Sequence, residues 1–214
     1  MMLIKRYIDK IAGHVTKNFP VSGWYENDLE NYVVLNKKEA TKYGNYLSRE
    51  WTHILSPSEL LAIVLYKGFL GISFHKNINN ALRNNDTQSK WYTIAKLICH
   101  ALSNTAIDSN IVCFRETNKQ FLSANGFDVS SIKTGDILIE KGFLSTFANR
   151  PFFTRGKIRL MIMVPSGTKG AYINSVSIGN RWEQEFLFLP CIKFIVVDIC
   201  RRPRRIYLKL KMVD

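Results

Sequence analysis

Residues 135–147, Gly-Asp-Ile-Leu-Ile-Glu-Lys-Gly-Phe-Leu-Ser-Thr-Phe, contain two short apolar runs separated by a lysine and a glycine. Runs of this length between turn residues are typical of strands. Similar runs recur from residue 111 onward, and no helical pattern alternates with them, which predicts a mainly antiparallel sheet. We predict strands over residues 111–114, 136–140, 142–147, 157–164, 185–189, 194–200 and 205–212.

The chain before residue 109 has helical patterns instead. Ser56-Pro57-Ser58-Glu59 combines a capping box with proline at the first helical position, which predicts a helix start. We also predict helices over residues 37–51, 77–83 and 91–102, and a basic amphipathic helix within residues 1–15. The fold class is therefore α+β, in one domain over residues 1–214, with a helical lobe over about 1–108 and a β core over about 109–214.

The composition is that of a globular protein with an unusual charge. The 214 residues include 30 Lys and Arg against 17 Asp and Glu, a net charge of +13, while 46% of residues are hydrophobic. These values exclude a disordered or collagen-like chain. The charge indicates an anionic partner such as a phosphorylated cofactor, an acidic protein, nucleic acid or a membrane, unless it only aids solubility. Part of it is concentrated near the C-terminus, at Arg201, Arg202, Arg204, Arg205, Lys209 and Lys211.

Several common functional motifs are absent from the sequence. The chain has no P-loop, no Gly-x-Gly-x-x-Gly and no His-Glu-x-x-His. The cysteines have no Cys-x-x-Cys spacing, which favours free thiols and no metal site. The first residues do not form a secretory signal, and no apolar run is long enough to span a membrane. We therefore expect a soluble protein that works inside a cell.

Three chemically suggestive motifs remain in the second half of the chain. Arg115 ends an apolar strand run, Ser145-Thr146 lies in the third predicted strand, and Glu183-Gln184-Glu185 begins another. Alternation along a strand places Glu183 and Glu185 on one face. Taken singly, each motif is also compatible with a surface ion pair, a polar strand residue or solvated carboxylates.

In this order, the motifs resemble the signature of mono-ADP-ribosyltransferases of the Arg/Ser-Thr-Ser/Glu-x-Glu class, which include clostridial binary-toxin enzymes and Rho-modifying exoenzymes. Residues 38–83 resemble that family's helical lobe, and residues 164–173 resemble the strand and turn before its recognition loop. The resemblance extends over about residues 38–189 and implies a β core of two sheets. Phe147 departs from it, because the family usually has Ser, Thr or Gln there.

The resemblance implies that NAD is the substrate and that no metal is needed. Cleavage between nicotinamide and ribose passes through an oxocarbenium-like transition state, which a carboxylate stabilises. By resemblance, Glu185 is that carboxylate and Ser145 orients it. Arg115 would bind the diphosphate, for which an arginine fork is suited.

Further cofactor-binding residues follow from the same resemblance. Asn79 and Arg83 are four residues apart and so share a helix face, matching the helical-lobe contacts of the family. Thr146 and Arg159 complete the predicted cofactor-binding set. An outward-facing strand position is an equally good interpretation of Arg159.

Glu183 indicates which chemical group accepts the ADP-ribose. Family members with Glu at this position typically modify arginine. The pKa of a guanidinium lies far above 7, and its neutralisation at pH 7 costs roughly 9 kcal/mol. A carboxylate can bind the guanidinium and accept its proton. Gly179, Asn180 and Trp182 lie in the predicted target-recognition loop, and the segment after the Ser-Thr strand, with Phe152 or Phe153, is expected to cover the nicotinamide.

The leading hypothesis is a monomeric NAD-dependent mono-ADP-ribosyltransferase that modifies arginine on a target protein and hydrolyses NAD as a side activity. We expect a bacterial toxin or effector, or a phage enzyme. It would act in the cytosol of a target cell after injection, as part of a larger toxin, or by expression there. One alternative acceptor is RNA or DNA, bound through the basic C-terminal hairpin. Another alternative, supported only by Phe147, is a catalytically weak binding module.

Overall fold

The computed structural model describes residues 29, 31–68, 72–149, 157–176, 184–203 and 205–213. The predicted helix within residues 1–15 lies outside these ranges. Within these ranges, four helices precede the first strand and a short fifth follows it: α1 (Lys37–Ile54), α2 (Pro57–Lys67), α3 (His75–Arg83), α4 (Lys90–Ser103) and α5 (Lys119–Ser123). In the described ranges, no helix has the length and apolar character needed to cross a membrane.

Capping residues explain where the first two helices begin. The Asn36 side chain accepts from the backbone of Lys38 and Glu39, and the Glu39 side chain accepts from the Asn36 N–H. Ser56 and Glu59 form the same reciprocal pair at α2, with Pro57 at its first position. The helix start predicted from this motif is therefore confirmed. Gly68 ends α2 with a φ of 106°, a conformation that favours glycine.

In the part of the chain that the structure describes, eight strands follow the helical lobe and form one hydrogen-bonded series: β1 (Ile111–Thr117), β2 (Ile137–Glu140), β3 (Leu144–Phe147), β4 (Ile158–Val164), β5 (Gly170–Tyr172), β6 (Glu185–Phe188), β7 (Ile192–Arg202) and β8 (Arg205–Val213). Their order is β2-β7-β8-β4-β1-β3-β6-β5. The pair β4–β8 is parallel, and the other described pairs are antiparallel. The α+β class is confirmed, with the strands joined in one continuous sheet where two sheets were expected.

The helical lobe is anchored to one end of this sheet. One apolar cluster places Trp51, Ile63, Ile78 and Ile98, from α1, α2, α3 and α4 respectively, against Leu187 of β6. The Trp51 indole N–H also donates to the Ala101 carbonyl at 2.8 Å. This packing holds the C-terminal end of α2 and the length of α3 beside the β3–β6 pair.

A second contact between α1 and the sheet depends on a glycine. A Cβ placed on Gly44 would lie 2.3 Å from the ring of Tyr172, which follows Ala171 on β5. Tyr172 is itself buried between α1 and the ring of Phe186, 5.3 Å away between centroids. The absence of a side chain at Gly44 therefore lets α1 approach β5 closely.

Candidate active site

Strands β3 and β6 bring the predicted serine and glutamate together. Their antiparallel register pairs Ser145 with Leu187 and Phe147 with Glu185. The Ser145 Oγ donates to the Glu185 Oε1 at 2.5 Å. Glu185 is only 6% exposed, so this hydrogen bond operates with little competition from water.

A lysine from the helical lobe contacts the other carboxylate oxygen. Lys67, the last residue of α2, places its Nζ 2.7 Å from the Glu185 Oε2. The same ammonium donates to the Asn174 Oδ1 at 2.7 Å. Asn174 lies in the short 3-10 helix Ile173–Val176 that follows β5. The sequence interpretation missed Lys67, because a lysine in the last turn of a helix usually only complements the helix dipole.

A second cluster joins two of the predicted arginines through Glu140. Its Oε1 accepts from the Arg83 Nε at 3.0 Å and the Arg83 Nη2 at 2.9 Å. Its Oε2 lies 3.2 Å from the Arg115 Nη2. Glu140 ends β2 and is 3% exposed, and its Oε1 also accepts from the Gly142 N–H at 3.0 Å. This carboxylate, which sequence analysis did not select, therefore aligns both guanidinium groups.

Arg115 retains binding capacity in this arrangement. Its Nη1 is buried and has no hydrogen-bond partner among the described residues. A buried N–H without an acceptor is costly, and an anionic ligand would remove that cost. The two arginines carry two positive charges against the single charge of Glu140, so the cluster has an excess positive charge.

Asn79 links helix α3 to two neighbouring parts of the chain. Its Oδ1 accepts from the Phe143 N–H at 2.9 Å, at the start of the Ser-Thr segment. Its Nδ2 donates to the Tyr66 hydroxyl at 3.1 Å. Helix α3 is thereby tied to both α2 and the approach to β3.

The arginine cluster opens into a cleft of about 1120 Å³. It lies between α3, the end of β1, α5 and the end of β2. Its lining includes His75, Asn79, Arg83, Arg115 and Glu140. A cleft of this size, with a few convergent polar groups, is typical of a site for a cofactor-sized ligand.

Charges from both clusters affect the pKa values of two nearby side chains, Tyr66 and His75. Burial raises the pKa of Tyr66, and the charge of Glu185 raises it further, while Arg115 lowers it. Burial lowers the pKa of His75, and the neighbouring Lys76 adds to that effect. Glu185 acts on His75 in the opposite direction, and Arg115 lowers its pKa. We expect a neutral His75 imidazole at pH 7, because its pKa lies below the usual value of 6.5.

Comparison with known proteins identifies the family to which the chain belongs. A family model described as ADP-ribosyltransferase exoenzyme matches residues 40–208. The chain belongs to the ADP-ribosyltransferase exoenzyme family. A sequence comparison with curated proteins found no match.

Solved structures show the same fold. The chain is 22% identical to an ADP-ribosyltransferase from Clostridium botulinum, with a TM-score of 0.70 over 86% of this chain and 100% of the other. It is 20% identical to Plx2a, an ADP-ribosyltransferase toxin from Paenibacillus larvae, with a TM-score of 0.72 over 86% and 100%. It is 21% identical to C3stau2 from S. aureus, solved with NAD, with a TM-score of 0.71 over 86% and 99%. At these identities the likeness is one of fold.

Two of the cofactor-binding residues expected of this exoenzyme do not face the cleft. Thr146 is fully buried, and its hydroxyl contacts the Phe186 carbonyl at 3.4 Å. Because successive strand residues face opposite ways, Thr146 lies on the face of β3 opposite Ser145, and its cofactor-binding role stays a prediction.

Arg159 is directed away in the same manner. It lies opposite Glu116 in the β1–β4 pair, and its Nε donates to the Glu116 Oε1 at 3.0 Å. Glu116 itself borders the cleft, whereas Arg159 is not among the described residues that line it. The guanidinium of Arg159 lies 5.6 Å from the centre of the Tyr207 ring. Arg159 thus pairs with neighbouring strand residues, and its role as a phosphate clamp stays a prediction.

Several residues that are predicted to contact the acceptor or the nicotinamide fall on segments that the structure does not describe. Gly179, Asn180, Trp182 and Glu183 lie outside the described residues, as do Phe152 and Phe153. Gln184, directly before β6, has a φ of 38°, which is unusual for a residue other than glycine. Its carbonyl accepts from the Ala148 N–H at 2.9 Å, so the chain enters β6 at a defined position beside the end of β3.

Proposed function

We propose that this exoenzyme transfers ADP-ribose from NAD to an arginine of a target protein. The observation that carries the proposal is the partly buried hydrogen bond between Ser145 and Glu185, at 2.5 Å, near a cleft that is lined by two arginines. A carboxylate held in this way has a fixed orientation before any substrate arrives. Such preorganisation is the main source of electrostatic stabilisation in enzymes.

The arginine cluster suits the diphosphate of NAD. Arg115 offers its unpartnered Nη1, and Arg83, whose side chain is 38% exposed, can reorient toward a ligand. Glu140 sets the spacing of the two guanidinium groups. In this proposal Asn79 acts by holding the Phe143 N–H and the Tyr66 hydroxyl in place, and it borders the cleft without a free amide oxygen.

The reaction then proceeds at the ribose. The bond between nicotinamide and the ribose C1 breaks, and nicotinamide leaves with the bonding electron pair. Glu185 accepts a hydrogen bond from a ribose hydroxyl and stabilises the positive charge that develops on the ring. A guanidinium nitrogen of the acceptor attacks C1 and loses a proton to Glu183. Attack by water in place of the acceptor gives the NAD glycohydrolase side activity.

Labelled NAD tests the proposal directly. Incubation with a cell lysate should label protein, and Glu185→Ala should abolish the labelling. Glu183→Gln should retain NAD hydrolysis while losing transfer to arginine, and mass spectrometry of the labelled peptide should locate an arginine. Unaltered labelling by Glu185→Ala would contradict the proposal, and NAD hydrolysis by the wild type would exclude a purely binding module.

A nucleic-acid acceptor is the second candidate, and a basic groove supports it. A cavity of about 1060 Å³ at the tip of the β7–β8 hairpin is lined by Lys119, Lys157, Arg201, Arg202 and Arg205. Basic clusters of this kind bind phosphate backbones. Asp128 also lines the groove and opposes an anionic ligand, which disfavours this candidate. If the label on the product survives nuclease treatment but is lost on protease treatment, the acceptor is a protein and the nucleic-acid candidate is excluded.

We further propose that residues 1–214 form one catalytic domain that acts as a monomer in the cytosol of a target cell. The succession of helical lobe and sheet, with the site between them, supports one domain. Light scattering tests the monomer. Labelling of a cytosolic protein after expression in candidate host cells, absent with Glu185→Ala, tests the place of action.

A further inference from the structure

We infer that Lys67 is a positioning residue for the reaction: it holds the Glu185 carboxylate in its active orientation and supplies its counter-ion. This role rests on the proposed function, in which Glu185 acts on the ribose. The contact itself is a buried ion pair, with Nζ and Oε2 2.7 Å apart and the two side chains 4% and 8% exposed.

The two donors fix the carboxylate from different sides. Ser145 donates to Oε1 and Lys67 donates to Oε2, so rotation of the carboxylate would break at least one contact. Each carboxylate oxygen can accept about two hydrogen bonds. Acceptance of a ribose hydroxyl therefore does not require Lys67 to leave.

The lysine is itself held in place. Asn174 accepts from the same ammonium at 2.7 Å and is 7% exposed. The stem of Lys67 begins at the last residue of α2, directly before the chain turns at Gly68. A long and normally mobile side chain is thus restrained at its base by the helix and at its head by two acceptors from different elements.

A neutral residue at position 67 could not replace Lys67, because the Glu185 carboxylate needs a positive charge beside it. An ionised carboxylate that is removed from water without a counter-ion is strongly destabilised. Ser145 donates one hydrogen bond to the carboxylate, but its hydroxyl carries no positive charge that could balance the charge of Glu185. Lys67 therefore links α2 of the helical lobe to the reacting carboxylate on β6, and loss of its charge should impair the chemical step more than NAD binding.

Steady-state NAD hydrolysis by Lys67→Met and Lys67→Arg tests this role. Lys67→Met should lower kcat by about tenfold or more, with the KM for NAD changed by less than about threefold. Lys67→Arg keeps the charge and should recover a large part of kcat. Lys42→Met, on an exposed face of α1, is the matched control and should leave both constants unchanged. An unchanged kcat in Lys67→Met would overturn the inference. A raised kcat would also overturn it, and would identify Lys67 as an inhibitory contact.

A measurement that needs no catalysis separates failure of this inference from failure of the proposed function. Glu185→Gln should lower the urea midpoint of the wild type, because it leaves the Lys67 ammonium without its partner. In the Lys67→Met background the same change should raise the midpoint, because it removes an uncompensated buried charge. Equal effects in both backgrounds would contradict the ion pair. Opposite effects without NAD turnover by the wild type would support the ion pair and contradict the proposed enzyme.

Discussion

Phe147 lies directly opposite Glu185 on the paired strands β3 and β6. Directly opposed residues have Cβ atoms about 5 Å apart, so an aromatic ring stands beside the carboxylate where related sequences were expected to carry a polar residue. Phe147 is half-buried, which leaves part of the ring at the surface of the site. The position therefore brings apolar bulk next to the Glu185 carboxylate.

We expect Phe147→Ser to increase the share of ADP-ribose that is transferred to water. Removal of the ring would admit solvent beside Glu185, and water competes with the acceptor for the ribose C1. The ratio of NAD hydrolysis to labelled protein should rise several-fold. Phe147→Leu is the control, because it keeps apolar bulk and should leave the ratio near that of the wild type. A similar ratio in both variants would contradict a role in water exclusion.

Glu140→Gln should destabilise the protein, because Glu140 is the shared partner of Arg83 and Arg115. Loss of a charged hydrogen-bond partner from a buried cluster costs about 1–3 kcal/mol. Unfolding in urea measures this value. Glu50→Gln on an exposed part of α1 is the control, with an expected change within about 0.5 kcal/mol. A Glu140→Gln variant as stable as this control would show that the cluster contributes no stability.

The local part of the fold was predictable from the sequence, because it depends on near neighbours. The capping box at Ser56 and the apolar strand runs act within a few residues, and α1 to α4 and most of the described strands lie where these patterns indicated. The five-residue helix α5 and the three-residue strand β5 were missed, because elements this short give no period to detect.

The site was only partly predictable, for a different reason. The order of the family motifs selected Ser145, Glu185 and Arg115 as candidates, but Lys67 and Glu185 are 118 positions apart, and no sequence pattern relates them. Glu140 was missed because an isolated glutamate at the end of a strand usually faces solvent. Thr146, next to Ser145 on β3, is fully buried, and alternation along the strand places it on the opposite face.

Gly44→Ala should destabilise the protein, although alanine normally favours a helix over glycine. The added Cβ would lie 2.3 Å from the Tyr172 ring, so either α1 or the ring must move. Overpacking of this kind costs about 1–3 kcal/mol. Thermal or urea unfolding tests the value. The double variant Gly44→Ala/Tyr172→Leu should cost less than the sum of the single changes, and strict additivity would contradict the clash.

His75 should make the folded state less stable in mild acid. Burial, followed by Lys76, lowers the pKa of His75 from its usual value of 6.5, so the unfolded chain binds a proton more readily. Stability should therefore rise with pH in the window that begins at the lowered pKa of the folded state and ends near 6.5. His75→Gln removes this contribution, and its urea midpoint should fall less between pH 7.5 and 5.5. An equal fall in both proteins would contradict the lowered pKa.

The basic groove should govern any binding of duplex nucleic acid. Lys119, Lys157 and Arg205 line it and are exposed, and Arg201 at its wall is held by the Val129 and Ile132 carbonyls. Replacement of the first three by Gln should weaken binding of a DNA duplex at least tenfold in low salt. The slope of log K against log salt should become less steep by about 0.9 for each phosphate that the variant no longer neutralises.

A charge-matched variant distinguishes a groove from a general attraction. Lys38, Lys42 and Arg49 are exposed on α1, remote in sequence from the groove, and their replacement by Gln removes the same three charges. If the groove binds the backbone, this variant should keep the affinity within about threefold and retain the salt slope of the wild type. Equal weakening by both triple variants would show that only the net charge of +13 attracts nucleic acid, because long-range attraction depends on total charge and not on its place.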